Sequence, residues 1–268
     1  LIANQEYMLE RIEINGVSRW MGWVPPVDPP RLRQGPPLFA LDKSAWTEFE
    51  YTQPTQVKDQ GARGACNGHA AASTLELSYW IGLGTAPVQP LSAWFVYATL
   101  CNGLDRGSNI GDALTLLQGQ GTCLDSLVPY STINPRQISQ EAHQDAEKHK
   151  ISLGGTLETW DDICNAIQLR RPVNLSVRAA NNWSDLDSSG IPPINIGMGN
   201  HAVGVGWGMR FKDGDWQIKM QNSWSSKWGQ GGYCWLTRKH WELQSYREAY
   251  YVEAATAFPG TEPPQVLA

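Results

Sequence analysis

Apolar positions recur at helical spacing through CNGHAAASTLELSYW, residues 66–80, and the pattern stops at the glycines of IGLGT. LSAWFVYATLCN, from Leu91, and NIGDALTLLQGQG, from Asn109, carry the same period and predict two more helices, separated by the glycine-bearing turn GLDRGS. SQEAHQDAEKHK, from Ser139, is polar on every face and reads as a solvated helix or loop, with His143 and His149 in water. TWDDICNAIQLRR, from Thr159, is an amphipathic helix that Pro172 terminates. Beyond it the period falls to two. PVNLSVRA, HAVGVGWGMRF, DWQIKMQNSW and GGYCWLTR are strand-like, and Asp213-Gly214 marks a hairpin between the second and third. Helices therefore dominate the first half and antiparallel strands the second. This is an α+β layout with a helical lobe over about 55–150 and a sheet lobe over about 151–240, followed by a C-terminal tail. A cleft between two such lobes is a usual place for a ligand.

Residues 1–40 read differently. Six prolines fall between Pro25 and Pro37 in WVPPVDPPRLRQGPPL, which excludes helix and favours extended backbone. The preceding YMLERIEINGVSRW fits either a strand or a helix. The expected division is a Pro-rich N-terminal extension, 1–40, and a globular domain, 41–268.

Composition narrows the function classes. With 268 residues, 41% hydrophobic and 18% charged, the chain can bury a full core, and its 13 Trp suit large cores or grooves for extended ligands. A net charge of −5 offers no basic footprint, so nucleic acid is not an expected partner. No apolar run approaches the roughly 18 residues of a membrane span, so no membrane partner is expected either. The opening LIANQEYMLE has no signal-peptide pattern, and five scattered cysteines demand no disulfide framework. Both lean towards a cytoplasmic, reducing location, although the chain begins at Leu1 and a secretory segment removed upstream is compatible with it.

One cysteine stands apart. Cys66 follows the glycine-rich loop QGARGA and opens an Ala-rich helix, where the helix N-terminus favours a thiolate. Gln60, six residues upstream, can aim an amide N–H at the same point as the Cys66 backbone N–H, a two-donor oxyanion hole. His201, at the head of an alternating strand, is the candidate base. Asn222 follows the next strand of the proposed hairpin and can accept the imidazole N–H, with Trp224 as a shield from water. A lone Cys at a helix start is ordinarily a small buried hydrophobe, and only the combination of these four contexts reverses that reading. His69, on the same helix, reads as a buried structural residue, and no second close Cys/His pair completes a metal site with it. Cys101, Cys123, Cys164, Cys234 and Trp228 read as core.

These motifs resemble the papain family of cysteine peptidases, in its compact bacterial-type form, over roughly residues 41–240. The carriers are Gln60-Gly61-Ala62-Arg63-Gly64-Ala65-Cys66, Asn200-His201-Ala202-Val203, and Asn222-Ser223-Trp224 with Trp228-Gly229 and Gly232-Tyr233. The Cys-to-His interval fits the family's ~130–150 residues. The resemblance implies a two-lobed fold with the active-site cleft between a helical lobe and a sheet or barrel lobe. It implies a cysteine endopeptidase with Cys66 as nucleophile, His201 as base and acid, Asn222 as its orienter and Gln60 as oxyanion donor, using no metal or cofactor. It also implies a substrate edge at Gly107-Ser108, a subsite near Asn109, Ile110, Ser176 and Ala202, and further substrate contacts at Asn200 and Trp224. Substrates would be proteins or peptides, and the enzyme a monomer. Family members are commonly zymogens whose prosegment runs through the cleft against the substrate direction, so residues 1–40 are a candidate intramolecular inhibitor. The departures are Arg63 where many members carry a disulfide cysteine, Asn67 in place of an aromatic, and Ser108 in place of a second glycine. A catalytically silent peptide-binding module and an acyl transferase or peptide ligase on the same site are the competing classes.

Overall fold

The computed structural model describes residues 9–28, 31–52, 55–83 and 89–255. Tyr7 and Met8 of the N-terminal stretch, Pro29 and Pro30 of the arm, and Gly84 at the end of the first helical pattern lie outside the described residues. The helical half contains α1 (Cys66–Leu83), α2 (Ala93–Cys101), α3 (Ile110–Gly119) and α4 (Gln140–Ala146). Helix α1 is buried on nearly every side, which is why its sequence is apolar or small all round rather than striped. Ser92 and Asn109 cap α2 and α3 by accepting from Phe95 and Asp112 backbone N–H groups. Leu75, Phe95, Leu114 and Leu117 lie in the core these helices share.

Three helices therefore fall where the period placed them, and the polar stretch from Ser139 is helical as well. His149 departs from expectation: it is 2% exposed. Helix α4 turns Ala142, Asp145 and Ala146 inward, and the Asp145 carboxylate accepts the Leu124 amide at 2.9 Å. A polar residue that satisfies a buried backbone donor is indistinguishable by pattern from a solvated one.

The second half is an antiparallel sheet. Its strands are β3 (Phe49–Glu50), β4 (Ile151–Thr156), β5 (Val173–Val177), β6 (His201–Lys212), β7 (Asp215–Gln221), β8 (Tyr233–Leu236) and β9 (Ala249–Ala254), numbered after an N-terminal hairpin described below. The order is β4-β9-β5-β6-β7-β8, with β3 on β6. Helices α5 (Trp160–Gln168) and α6 (Arg238–Glu242) pack against it. Asp213 and Gly214, both at positive φ (55° and 81°), make the β6–β7 turn. The region beyond 240, expected as a tail, instead supplies β9, an inner strand between β4 and β5. Asn174 on β5 donates to Thr74 of α1 at 2.8 Å, which ties the middle of the helix to the sheet.

Residues 10–21 form a hairpin, β1 (Glu10–Ile14) and β2 (Val17–Met21), closed by Asn15-Gly16 at positive φ. Ile12, Ile14 and Met21 are buried in the sheet-side core, while Arg11 and Glu13 face outward. The strand choice for this stretch is thus settled by alternation and an Asn-Gly turn. The chain then crosses between the two lobes at Met21–Pro25. Farther on, Gly35 donates to the Gly154 carbonyl at 2.8 Å, laying the Pro-rich segment along β4.

Candidate active site

The site lies where the first turn of α1 meets the start of β6. Cys66 is the first residue of α1 and is fully buried. Its sulfur accepts the Ala202 amide at 3.4 Å, which joins the helix to the strand that carries His201. His201 Nε2 is 2.9 Å from Asn222 Oδ1, while the buried Nδ1 makes no hydrogen bond to any described residue. Trp224 stacks on the imidazole with ring centres 4.8 Å apart, and Trp183 meets it edge-on at 6.3 Å. Antiparallel pairing of β6 and β7, with Gly204 opposite Gln221, brings Asn222 to His201.

Gln60 is held from two sides. Ser223 Oγ sits 2.6 Å from its Oε1, and the Gln60 amide donates to the Ser223 carbonyl at 2.9 Å. Its Nε2 donates to the Arg63 carbonyl at 2.7 Å and to the Trp20 carbonyl at 3.3 Å. The four motif residues therefore converge, and a segment of the N-terminal arm lies among them.

The arm contact is close and specific. The Gly22 N–H favours the anionic form of the Cys66 sulfur. Gly22 O accepts the Ser108 amide at 2.8 Å and Val24 N donates to Ser108 O at 3.1 Å, so the arm pairs in parallel with the Gly107-Ser108 edge. Trp23 N donates to Asn200 O at 3.1 Å. A Cβ on Gly22 would lie 1.7 Å from Gly64 O, and one on Gly107, which has φ +73°, would lie 2.4 Å from Gly22 O. Only glycines allow these backbones to pass. Around this crossing, Arg19 of β2 pairs with Asp59 at 2.7 Å, and Glu10 of β1 makes a two-pronged contact with Arg178.

Electrostatics follow from this closure. Burial pushes the Cys66 thiol up to about 11, against backbone N–H groups from Ala202 and Gly22 that favour the thiolate. Burial brings His201 down to about 4; its bond to Asn222 opposes the change, and the positive charge of Arg19 on the arm adds to it. At neutral pH the closed site thus holds a thiol and a neutral imidazole.

The expected substrate residues divide. Gly107, Ser108, Asn200, Ala202 and Trp224 line the crossing itself. Ile110 and Ser176 both contact a residue that sequence reasoning missed: Glu248, just before β9, accepts on its carboxylate from Trp23 Nε1 at 2.8 Å and from Ile110 N at 3.3 Å, and its backbone N–H donates to Ser176 Oγ at 2.9 Å. The Asn109 side chain is committed to capping α3 and pairing with Asp112, so it turns away from the cleft. His69 is buried, its Nδ1 2.8 Å from the Ala65 carbonyl, and all five cysteines are free and buried.

Asp105 is the second residue that escaped notice. It accepts from Gly64 N at 3.0 Å and from Tyr97 OH at 2.5 Å, and pairs with Arg63 at 3.4 Å. Tyr97 OH in turn accepts Gly107 N at 3.2 Å. One carboxylate thereby ties the loop before Cys66 to the Gly107-Ser108 edge, where Arg63 stands in place of a disulfide cysteine. Asp105→Ala strands a buried amide and a hydroxyl and is expected to cost about 1–3 kcal/mol, read as a lower thermal midpoint. Asp105→Asn, which keeps an acceptor, loses less.

A helical lobe and an antiparallel barrel-like sheet lobe with a cleft between them define the papain-like α+β fold. The chain belongs to the papain family of cysteine proteases, whose sequence profile matches residues 42–253. It is 29% identical over 199 residues to the oryzain gamma chain of Oryza sativa subsp. japonica, covering 70% of this chain and 52% of the relative. It is 27% identical over 224 residues to a cysteine protease of Blomia tropicalis, covering 76% and 65%. The chain thus spans between half and two thirds of the length of these relatives. Among solved structures, xylellain, a cysteine protease from Xylella fastidiosa, superposes with a TM-score of 0.71 at 22% identity, covering 92% of this chain and 98% of that one. Digestive procathepsin L 3 of Tenebrio molitor larval midgut superposes with a TM-score of 0.64 at 18% identity, covering 84% and 75%.

Proposed function

We propose that this protein is a cysteine endopeptidase held closed by its own N-terminal arm. Cys66 attacks the substrate carbonyl, and His201 takes the thiol proton through Nδ1 and returns it to the leaving amine. Asn222 fixes the ring through Nε2. Gln60 Nε2 and the Cys66 backbone N–H receive the oxyanion, and water then hydrolyses the thioester. Substrates are proteins or extended peptides that pair with the Gly107-Ser108 edge. Residues 1–40 act as the inhibitory segment and the remainder as the peptidase.

The observation that carries this reading is the crossing at Trp20–Val24. The arm places a carbonyl against Gln60, an amide against Cys66 and a strand along Gly107-Ser108, which are the contacts an extended peptide substrate needs. Its parallel pairing is the reversed polarity expected of a prosegment, so the groove is filled without presenting a scissile bond for attack. Release of the arm removes Arg19 from beside His201 and reopens the cleft to water. Both changes favour the thiolate–imidazolium pair.

Gln60→Ala tests the oxyanion assignment. Losing one donor is expected to lower kcat by roughly 10²–10³, about 2.7–4 kcal/mol, measured on a fluorogenic peptide at saturation. A kcat within a few-fold of wild type removes Gln60 from the mechanism.

A further inference from the structure

Arg178, the residue after β5, makes a two-pronged contact with the Glu10 carboxylate of the arm. Asn200 Nδ2 donates to the same carboxylate at 3.0 Å. Asn200 is fixed without help from the arm, because its Oδ1 accepts Ala179 N at 2.9 Å and its Nδ2 also reaches Ala179 O at 3.0 Å. Both residues stand on the sheet-lobe rim of the crossing, across from the Gly107-Ser108 edge, and Glu10 is paired in register with Met21, next to Gly22. A cavity of about 80 Å³ is left between arm and rim. Glu10 is the only acid and Arg178 the only base among its described lining residues, while Met21, Trp23, Met198 and Gly199 supply apolar wall. The Arg178 guanidinium has no other acceptor among the described residues.

Strands β1 and β2 are bonded to each other, so the hairpin leaves as a unit, and release of Gly22 from Cys66 also removes Glu10. The rim then presents a guanidinium fork and a pre-aligned amide N–H with no acceptor. That donor set matches a carboxylate, whereas a neutral side chain leaves the charge unpaired and a cation is repelled. We propose that Arg178 and Asn200 form a carboxylate seat beside the scissile bond. Peptides that carry Asp or Glu there, or that end there in a free C-terminus, are preferred over neutral ones. Glu10 fills the seat in the closed chain as a substrate carboxylate fills it in the open one. The inference rests on the cleft being a peptide-hydrolysing site.

The test uses the full chain and pairs of fluorogenic peptides with Glu or Gln at each of the three positions on either side of the scissile bond. Further pairs end at those positions in a free carboxylate or an amide. Displacing the arm costs the same within each pair, so it cancels in the ratio of kcat/KM values. The expected ratio favours the carboxylate by at least about fivefold at one position, and Arg178→Gln brings it close to one. A gain in the Glu pairs assigns the seat to an acidic side chain, and a gain in the terminal pairs assigns it to a chain end. Ratios near one throughout in the wild type, or a ratio unchanged by Arg178→Gln, overturn the proposal. A second readout needs no catalysis: the same pairs are bound to a Gly22→Ala, Cys66→Ala chain and followed by fluorescence anisotropy. Tighter binding of the carboxylate peptide, lost with Arg178→Gln, supports the seat even if no peptide is cleaved, in which case the peptidase reading alone fails. Equal binding within the pairs, or binding of neither peptide, overturns it.

Discussion

Gly22→Ala is expected to turn on the full-length chain, raising its peptide hydrolysis roughly 10–100-fold. The added Cβ falls 1.7 Å from Gly64 O and 2.2 Å from Gly64 C, and both are backbone atoms that cannot rotate aside. The Gly64 loop is itself held by Asp105, so relief comes from the arm leaving rather than from the loop yielding. Forcing a methyl group into a packed contact costs typically ~1–3 kcal/mol, which converts to a five- to 150-fold rise in the fraction of open molecules. The substitution touches no group assigned to chemistry. A progress curve on a fluorogenic peptide reads the gain, and activity equal to wild type would mean that the crossing does not limit turnover.

Cys66→Ala is expected to abolish hydrolysis in both the wild-type and Gly22→Ala backgrounds, by a factor on the order of 10⁶. The sulfur is the atom on which the site converges: the Ala202 N–H donates to it, the Gly22 N–H favours its anionic form, and α1 begins at its residue. Replacing a small buried side chain with a smaller one leaves a modest void, so the fold persists and the arm stays seated. Circular dichroism checks the fold while the assay reads the loss. Residual turnover above background in the Gly22→Ala, Cys66→Ala double variant would place the nucleophile elsewhere.

Much of this was legible before any coordinates. Helices α1–α3 and strands β5–β8 follow from apolar periods of 3.6 and two, because each has a clear face or complete burial. The convergence of Gln60, Cys66, His201 and Asn222 could be anticipated because each sits in a local motif: a glycine loop before a helix, a strand head, and a loop after the paired strand. What was not legible depends on contacts distant in sequence. Strand β9, AYYVEA, is a short apolar run whose inner place is set by β4 and β5 rather than by its own pattern. Glu248 and Asp105 are single carboxylates in irregular segments, and their partners, Trp23 and Gly64, lie far away in the chain. The arm shows the limit most clearly. Six prolines predicted extended backbone, but Gly22, not a proline, occupies the crossing, and only the steric relation to Gly64 and Gly107 reveals it.

The most direct measurement of the central claim is the pH dependence of Cys66 alkylation by an epoxysuccinyl peptide, followed by mass spectrometry on the wild-type and Gly22→Ala chains. In the closed wild type, a thiol held up at about 11 beside an imidazole held down at about 4 leaves few thiolates at neutral pH. Labelling should therefore be slow near pH 7 and rise only towards alkaline pH. In Gly22→Ala, labelling of Cys66 should be fast across neutral pH, because solvent reaches the pair and Arg19 no longer opposes the imidazolium. Equal, slow labelling of both chains, or modification at a cysteine other than Cys66, would contradict the account.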